Sequence, residues 1–257
     1  MKGDYCMDLK DPLNKQELVQ RIKGLSDEYR EMLLQLVDSA DTYKRAALLY
    51  YWLRDYKNYI KNEHTFDPRY YPVFERGNII NVNLGFNLGS ETGGLHYALV
   101  LRNSNRRDPV LNIIPLMSLK EGKSAEQLRP TEVYLGQELH YQVQGKYQAL
   151  KVSIPSEIAL LESIVESGQP DDEHDIEQTR QRVKELGQRV EQMKQAYNKL
   201  QVLKKGSIAA INQIRTISKI RVVEPRNKYD ILYGIKLSTA GMDLVDQSLI
   251  RLFTKNS

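Results

Sequence analysis

The chain has 257 residues, 41% apolar and 27% charged, enough for one large domain or two small ones around a real core. One cysteine, Cys6, and four histidines exclude a disulfide framework and a cysteine-rich zinc site; with no apolar run of membrane-spanning length and no signal-peptide core, the expectation is a cytoplasmic protein without a membrane segment. Lys and Arg against Asp and Glu run 12 to 12 over 1–72, 9 to 7 over 73–154, 7 to 10 over 155–204 and 9 to 4 over 205–257, so the second and fourth segments together carry +7, against −3 in the third, as suits contact with a polyanion.

Residues 1–72 read as a helical region. Asn14 with Glu17 three residues on is an Asn-x-x-Glu variant of the capping box, and Leu18, Ile22 and Leu25 follow on one face. The runs EYREMLLQLVDSA and TYKRAALLYYWLRDYKNYIKN continue the helical spacing to about Asn62, which predicts two or three helices. Tyr50, Tyr51, Trp52, Tyr56 and Tyr59 crowd the last of them, as a packing face or as a base-stacking surface.

The prolines of FDPRYYPVFERGN end that pattern. NIINVNLG, HYALVLRN, VLNIIPLMS, TEVYLGQE and KYQALKVSI then read as strands up to residue 154, at the spacing of a small barrel or sandwich. From Pro155 to residue 204 the sequence turns helical. Ile176, Val183, Leu186, Val190, Met193, Tyr197 and Leu200 alternate by three and four, with Thr179 in the one polar slot, and SEIALLESIVES before GQPDDEHD can fold back to make a hairpin. A dimeric coiled coil is the competing reading. Residues 205–257 return to strand in GSIAAINQIRTISKIRVV and close on an amphipathic helix with Met242, Val245, Leu249 and Leu252 on one face. Because the arm leaves and re-enters the strand region, its ends must meet, and replacing residues 157–204 by a short linker is expected to spare the fold.

Two blocks on either side of this arm carry a resemblance. RGNIINVNLGFNLGSETGGLHYALVLRN with NIIPLMS, and GSIAAINQIRTISKIRV with the closing helix, resemble the PemK/MazF-type toxins of bacterial toxin–antitoxin systems over roughly half of the chain. The resemblance implies an α+β fold: an SH3-like small β-barrel, here with an N-terminal helical domain and an inserted helical coiled-coil arm. It also implies a homodimer that cleaves single-stranded RNA, without a metal or other cofactor, and is held inactive by a cognate antitoxin protein.

The chain departs from the family pattern at two places. The Arg-Pro pair that follows the family's Gly-rich loop is His96 and Tyr97 here, and the threonine of its Pro-Leu-Thr-Ser strand end is Met117, followed by Ser118. RNA cleavage without metal needs a base for the ribose 2′-hydroxyl, an acid for the leaving 5′-oxygen and cationic or N–H groups around the phosphate. Histidine exchanges protons near neutrality and arginine hardly does, so His96 is the catalytic candidate, with the Ser118 hydroxyl beside it if the strand end is twisted. The alternative for His96 is a strand histidine bonded to a carbonyl. The RNA-binding candidates are Ser90, Glu91, Thr92, Gly93 and Gly94 of a mobile loop able to cradle phosphate, with Gln213 and Arg215; Arg215 suits a structural ion pair equally well. His64, His140 and His174 show no metal-ligand spacing. A different function on the same barrel is a non-catalytic binding toxin, as in a related fold that binds DNA gyrase, or a phage-defence or regulatory module.

Overall fold

The computed structural model describes residues 10–166, 173–204 and 206–254, in two compact units divided between Lys61 and Asn62. In the first, α1 (Asn14–Asp38) and α2 (Ala40–Asn62) are joined by a single extended residue, Ser39. Gly24 lies inside α1, where its cost of about 1 kcal/mol does not break the helix. Leu13 takes the N-cap position, so the capping box expected at Asn14 does not form; Asp11 Oδ1 instead accepts a hydrogen bond from the Leu13 N–H at 2.9 Å. The α2 aromatics pair among themselves, Trp52 stacking on Tyr56 at 5.3 Å and Tyr50 meeting Tyr51 edge-on at 5.4 Å.

The second unit is an antiparallel sheet of seven strands with three helices. The strands are β1 (Ile79–Asn83), β2 (Leu95–Val100), β3 (Val110–Ser118), β4 (Glu132–Tyr134), β5 (Ser207–Ala210), β6 (Arg215–Ser218) and β7 (Val222–Glu224). They pair in the order β4-β5-β3-β2-β1-β7. The long β3 serves two partners, β6 along Val110–Ile113 and β5 along Leu116–Ser118. Among the described residues no ladder joins β4 to β7, so the sheet is open where a closed barrel was expected.

Strand alternation gives the sheet two buried faces. One carries Ile79, Leu99, Ile114, Leu116 and Ala209, covered by Leu139 and Val143 of α3 (Glu138–Glu166), Ala196 of α4 (Glu173–Val202), Met242 and Val245 of α5 (Thr239–Phe253), and the stretch 231–237. The other carries Ile80, Val82, Ala98, Val100, Leu111, Ile113, Ile217 and Val222, with only Phe74, Leu84 and Tyr71 from outside the strands. At the end of the chain, Ser238 caps α5 by accepting from the Gly241 N–H at 3.0 Å, and Arg251 donates to the Pro130 carbonyl at 2.7 Å.

Two expectations fail in the arm. KYQALKVSI is helix, not strand: α3 starts at Glu138 and runs through Pro155. Leu150, Val152 and Ile154 alternate as a strand would, but Val143, Tyr147, Leu150 and Ile154 also recur at helical spacing, and this longer pattern, packing on α4 and the sheet, prevails over the proline. The arm is also not an appendage. Antiparallel α3 and α4 form a hairpin tied at its middle by Arg189 donating to Glu157 and Ser153, whereas its base, with Val143, Ala196, Leu200 and Leu203, is core, so removing 157–204 removes core. Of the heptad seam, Leu186, Met193 and Leu200 face inward, whereas Val183, Val190 and Tyr197 are 54%, 42% and 50% exposed. The connection 167–172 lies outside the described residues.

Candidate functional site

The Gly-rich stretch is the connection from β1 to β2, and its neck is narrow. The Gly94 N–H donates to the Gly85 carbonyl at 2.6 Å and the Leu84 N–H to the Gly94 carbonyl at 2.8 Å. A Cβ on Gly93 would stand 2.7 Å from the Gly85 carbonyl oxygen, so only glycine fits there; Gly94 has φ +80°, a left-handed conformation that glycine adopts without strain. Further out, Asn87 Nδ2 donates to the Thr92 carbonyl at 2.5 Å and the Glu91 N–H to the Leu88 carbonyl at 3.1 Å. The loop expected to be mobile is thus braced internally, with Ser90 and Glu91 exposed at its tip and Thr92, Gly93 and Gly94 half-buried.

Its outer brace comes from the other motif block. Gln213, in the short turn before β6, accepts the Thr92 N–H at 3.2 Å and donates Nε2 to the Ser90 carbonyl at 3.4 Å. Arg215, the first residue of β6, donates to Gln213 Oε1 at 3.3 Å. The fold thus brings Ser90, Thr92, Gln213 and Arg215 together across more than a hundred residues.

His96 stands on β2 beyond the loop, half-buried, with Nδ1 3.3 Å from the Leu116 carbonyl oxygen. A carbonyl only accepts, so Nδ1 carries the hydrogen in this contact, and the neutral ring then has its lone pair on Nε2. Strand pairing puts His96 and Arg215 on one face: His96 alternates with Ala98 and Val100, Val100 pairs with Ile113, and Ile113 pairs with Arg215. Ser118 does not join them. Leu116 pairs with Tyr97, so Ser118, two residues on, points to the opposite face from His96, and Met117 takes the histidine's side. The twist that would have rescued Ser118 is absent from the strand end, where pairing with β5 continues to Ser207.

Tyr97 looks into the other core. Burial pushes its phenol above the usual tyrosine range, opposed by Lys199, whose Nζ lies 5.4 Å from the ring centre. Lys199 on α4 is paired with Glu224 on β7 at 2.5 Å, and Glu224 also accepts the Leu232 N–H at 3.1 Å. The arm is therefore tied to the strand that carries His96.

Two basic residues escaped the sequence reading. Arg221 is half-buried with Nε donating to the Asn83 carbonyl at 2.8 Å, at the foot of the loop; the Lys-x-Arg of the second block was the available signal. Lys219 is wholly buried, donating to the Asn105 carbonyl at 2.9 Å, and burial lowers its pKa. It cannot serve the basic surface to which the charge count assigned it. His140 lies in α3 with a buried Nδ1, His64 sits in a short turn after α2, and the side chain of His174 lies outside the described residues. Among the described residues no group of three His, Cys, Asp or Glu could hold a metal ion, and no helix is long and apolar enough to cross a membrane.

No protein-family model matches the chain, and no curated protein matches it in sequence.

Proposed function

We propose that the chain is an enlarged PemK/MazF-like toxin, a metal-independent endoribonuclease of single-stranded RNA built on an opened variant of the SH3-like barrel, with translation arrest as its result and a cognate antitoxin as its restraint. The observation that carries this reading is the Gln213 brace: the two sequence blocks that resemble the family, separated by the arm, meet at Ser90 and Thr92.

In this reading RNA lies across the loop with a phosphate near Arg215 and the exposed Ser90 and Glu91 at its edge. Nε2 of His96, which holds the lone pair of the neutral ring when Nδ1 donates to Leu116, takes the proton of the 2′-hydroxyl. The 2′-oxygen attacks phosphorus, the bond to the 5′-oxygen breaks, and water protonates that oxygen. The Arg215 guanidinium balances the charge that builds on the phosphate oxygens. Ser118 has no part in this step, because it faces away.

The test is incubation of the purified chain with a long, 5′-labelled single-stranded RNA in EDTA. Discrete cleavage products are expected. RNA that is bound but uncut selects the binding-only toxin, and RNA neither bound nor cut overturns the reading.

A further inference from the structure

The first unit lacks what a stable pair of helices needs. Over 25 residues α1 buries no side chain, and α2 buries only Ala46 and Leu49. Between them runs an apolar groove of about 590 Å³, lined by Leu33, Leu34, Val37, Tyr43 and Tyr50 among others. Fifteen large apolar side chains from Leu13 to Ile60 are more than a third exposed. Most of a helix's stability in a protein comes from packing its apolar face, and a helix pair without a core gains little from its own packing.

We infer that residues 14–62 are a self-association module, in which two copies of the chain pack α1 and α2 into a four-helix bundle. The spacing fits: Leu18, Ile22, Leu25, Tyr29 and Met32, each more than a third exposed, recur by four and three along one side of α1, the pattern of a bundle seam. The charge fits as well. α1 carries four Lys and Arg against five Asp and Glu, and α2 five against two, so a two-fold arrangement that sets α1 of one copy against α2 of the other brings unlike charge together. The groove then receives apolar residues of the partner's α1, and the exposed face of each helix becomes a seam with 3-4 spacing. A partner of different sequence would have to match both an acidic and a basic helix, whereas a second copy does so by symmetry. This interface is separate from the RNA chemistry proposed above and stands or falls without it.

The experiment uses the full chain at micromolar concentration, wild type and Leu34→Lys. Leu34 is 57% exposed and lines the groove, so lysine there leaves a single copy undisturbed. Analytical ultracentrifugation should give the wild type as an assembly of twice the mass of the variant, in multiples of the 29.8 kDa of one chain. Hydrogen-exchange mass spectrometry gives a second readout that needs no variant. Protection of α1 amides should fall on dilution of the wild type, while protection of β1 to β3 does not. A wild type that is monomeric overturns the inference. So does an assembly whose mass Leu34→Lys leaves unchanged, or α1 protection that ignores concentration, since either places the interface elsewhere.

Discussion

Replacing Lys199 by methionine tests whether the arm belongs to the core. The Lys199 ammonium lies 2.5 Å from Glu224, with side chains only 13% and 16% exposed, and 5.4 Å from the Tyr97 ring centre. Methionine keeps the packing of the lysine stem but leaves the Glu224 carboxylate in a site nearly closed to water, with the Leu232 N–H as its hydrogen-bond partner and the Lys146 charge as the remaining cation that acts on it. Breaking a fully buried pair costs about 3–5 kcal/mol and an exposed one ~0–1 kcal/mol. At this exposure the cost should lie at about 2–3 kcal/mol. For a unit of this size that is a fall in melting temperature of roughly 5–10 °C. The double variant Lys199→Met, Glu224→Gln should recover most of it, because the amide oxygen of glutamine still accepts from Leu232 without an unpaired charge. Urea unfolding followed by circular dichroism measures all three proteins. A single variant within about 0.5 kcal/mol of wild type would show that the last turns of α4 are not held to the sheet, and the account of the arm would fail.

Gln213→Ala removes the long hydrogen bonds to Thr92, Ser90 and Arg215, so stability should fall by no more than about 1 kcal/mol; the Thr92 amide should lose its exchange protection and RNA cleavage should drop roughly tenfold. Unchanged protection at Thr92 would remove the brace from the account. In the loop after β2, the Asn105 N–H, then Arg102, hold the Asp108 carboxyl below the usual aspartate range, so the folded chain binds that proton less tightly than the unfolded chain does. The stabilisation is complete above the ordinary aspartate pKa and is lost as pH falls through the lower folded value, so the stability gap between wild type and Asp108→Asn should be open at pH 7 and close in acid. A gap that persists at pH 2 contradicts this. Replacing residues 159–187, the outer part of the arm, with a short turn should leave the strand signal intact, whereas replacing 157–204 should abolish it, since only the longer deletion takes Ala196, Leu200 and Leu203. Equal folding of both proteins would return the arm to the status of an appendage.

The regular elements were legible where one periodicity stood alone. The 3.6-residue spacing of 14–62 and of the last helix, and the apolar strands of β1 to β3, follow from composition and alternation. The boundary of α3 was not legible, because Leu150, Val152 and Ile154 satisfy both periods and Pro155 suggests a stop; only packing against α4 decides between them. The open sheet was likewise hidden, since closure depends on ladders between distant strands. At the site, the loop and His96 are adjacent in sequence and could be read, and Gln213 and Arg215 came from the second motif block. The opposite orientation of Ser118 needed the register of β2 on β3. Arg221 was missed because its partner is the backbone carbonyl of Asn83, a group that no side-chain pattern reveals.

The most direct measurement of the central claim is the chemistry of the ends left when the chain cuts RNA in EDTA, compared for the wild type, His96→Ala and a substrate with a single 2′-deoxyribose at the scissile nucleotide. The expected result is a 2′,3′-cyclic phosphate and a 5′-hydroxyl from the wild type, no cleavage of the deoxy substrate, and a rate about 10²–10⁴ lower for a normally folded His96→Ala. Cleavage that tolerates the 2′-deoxy substitution, or that His96→Ala leaves at the wild-type rate, would contradict the account.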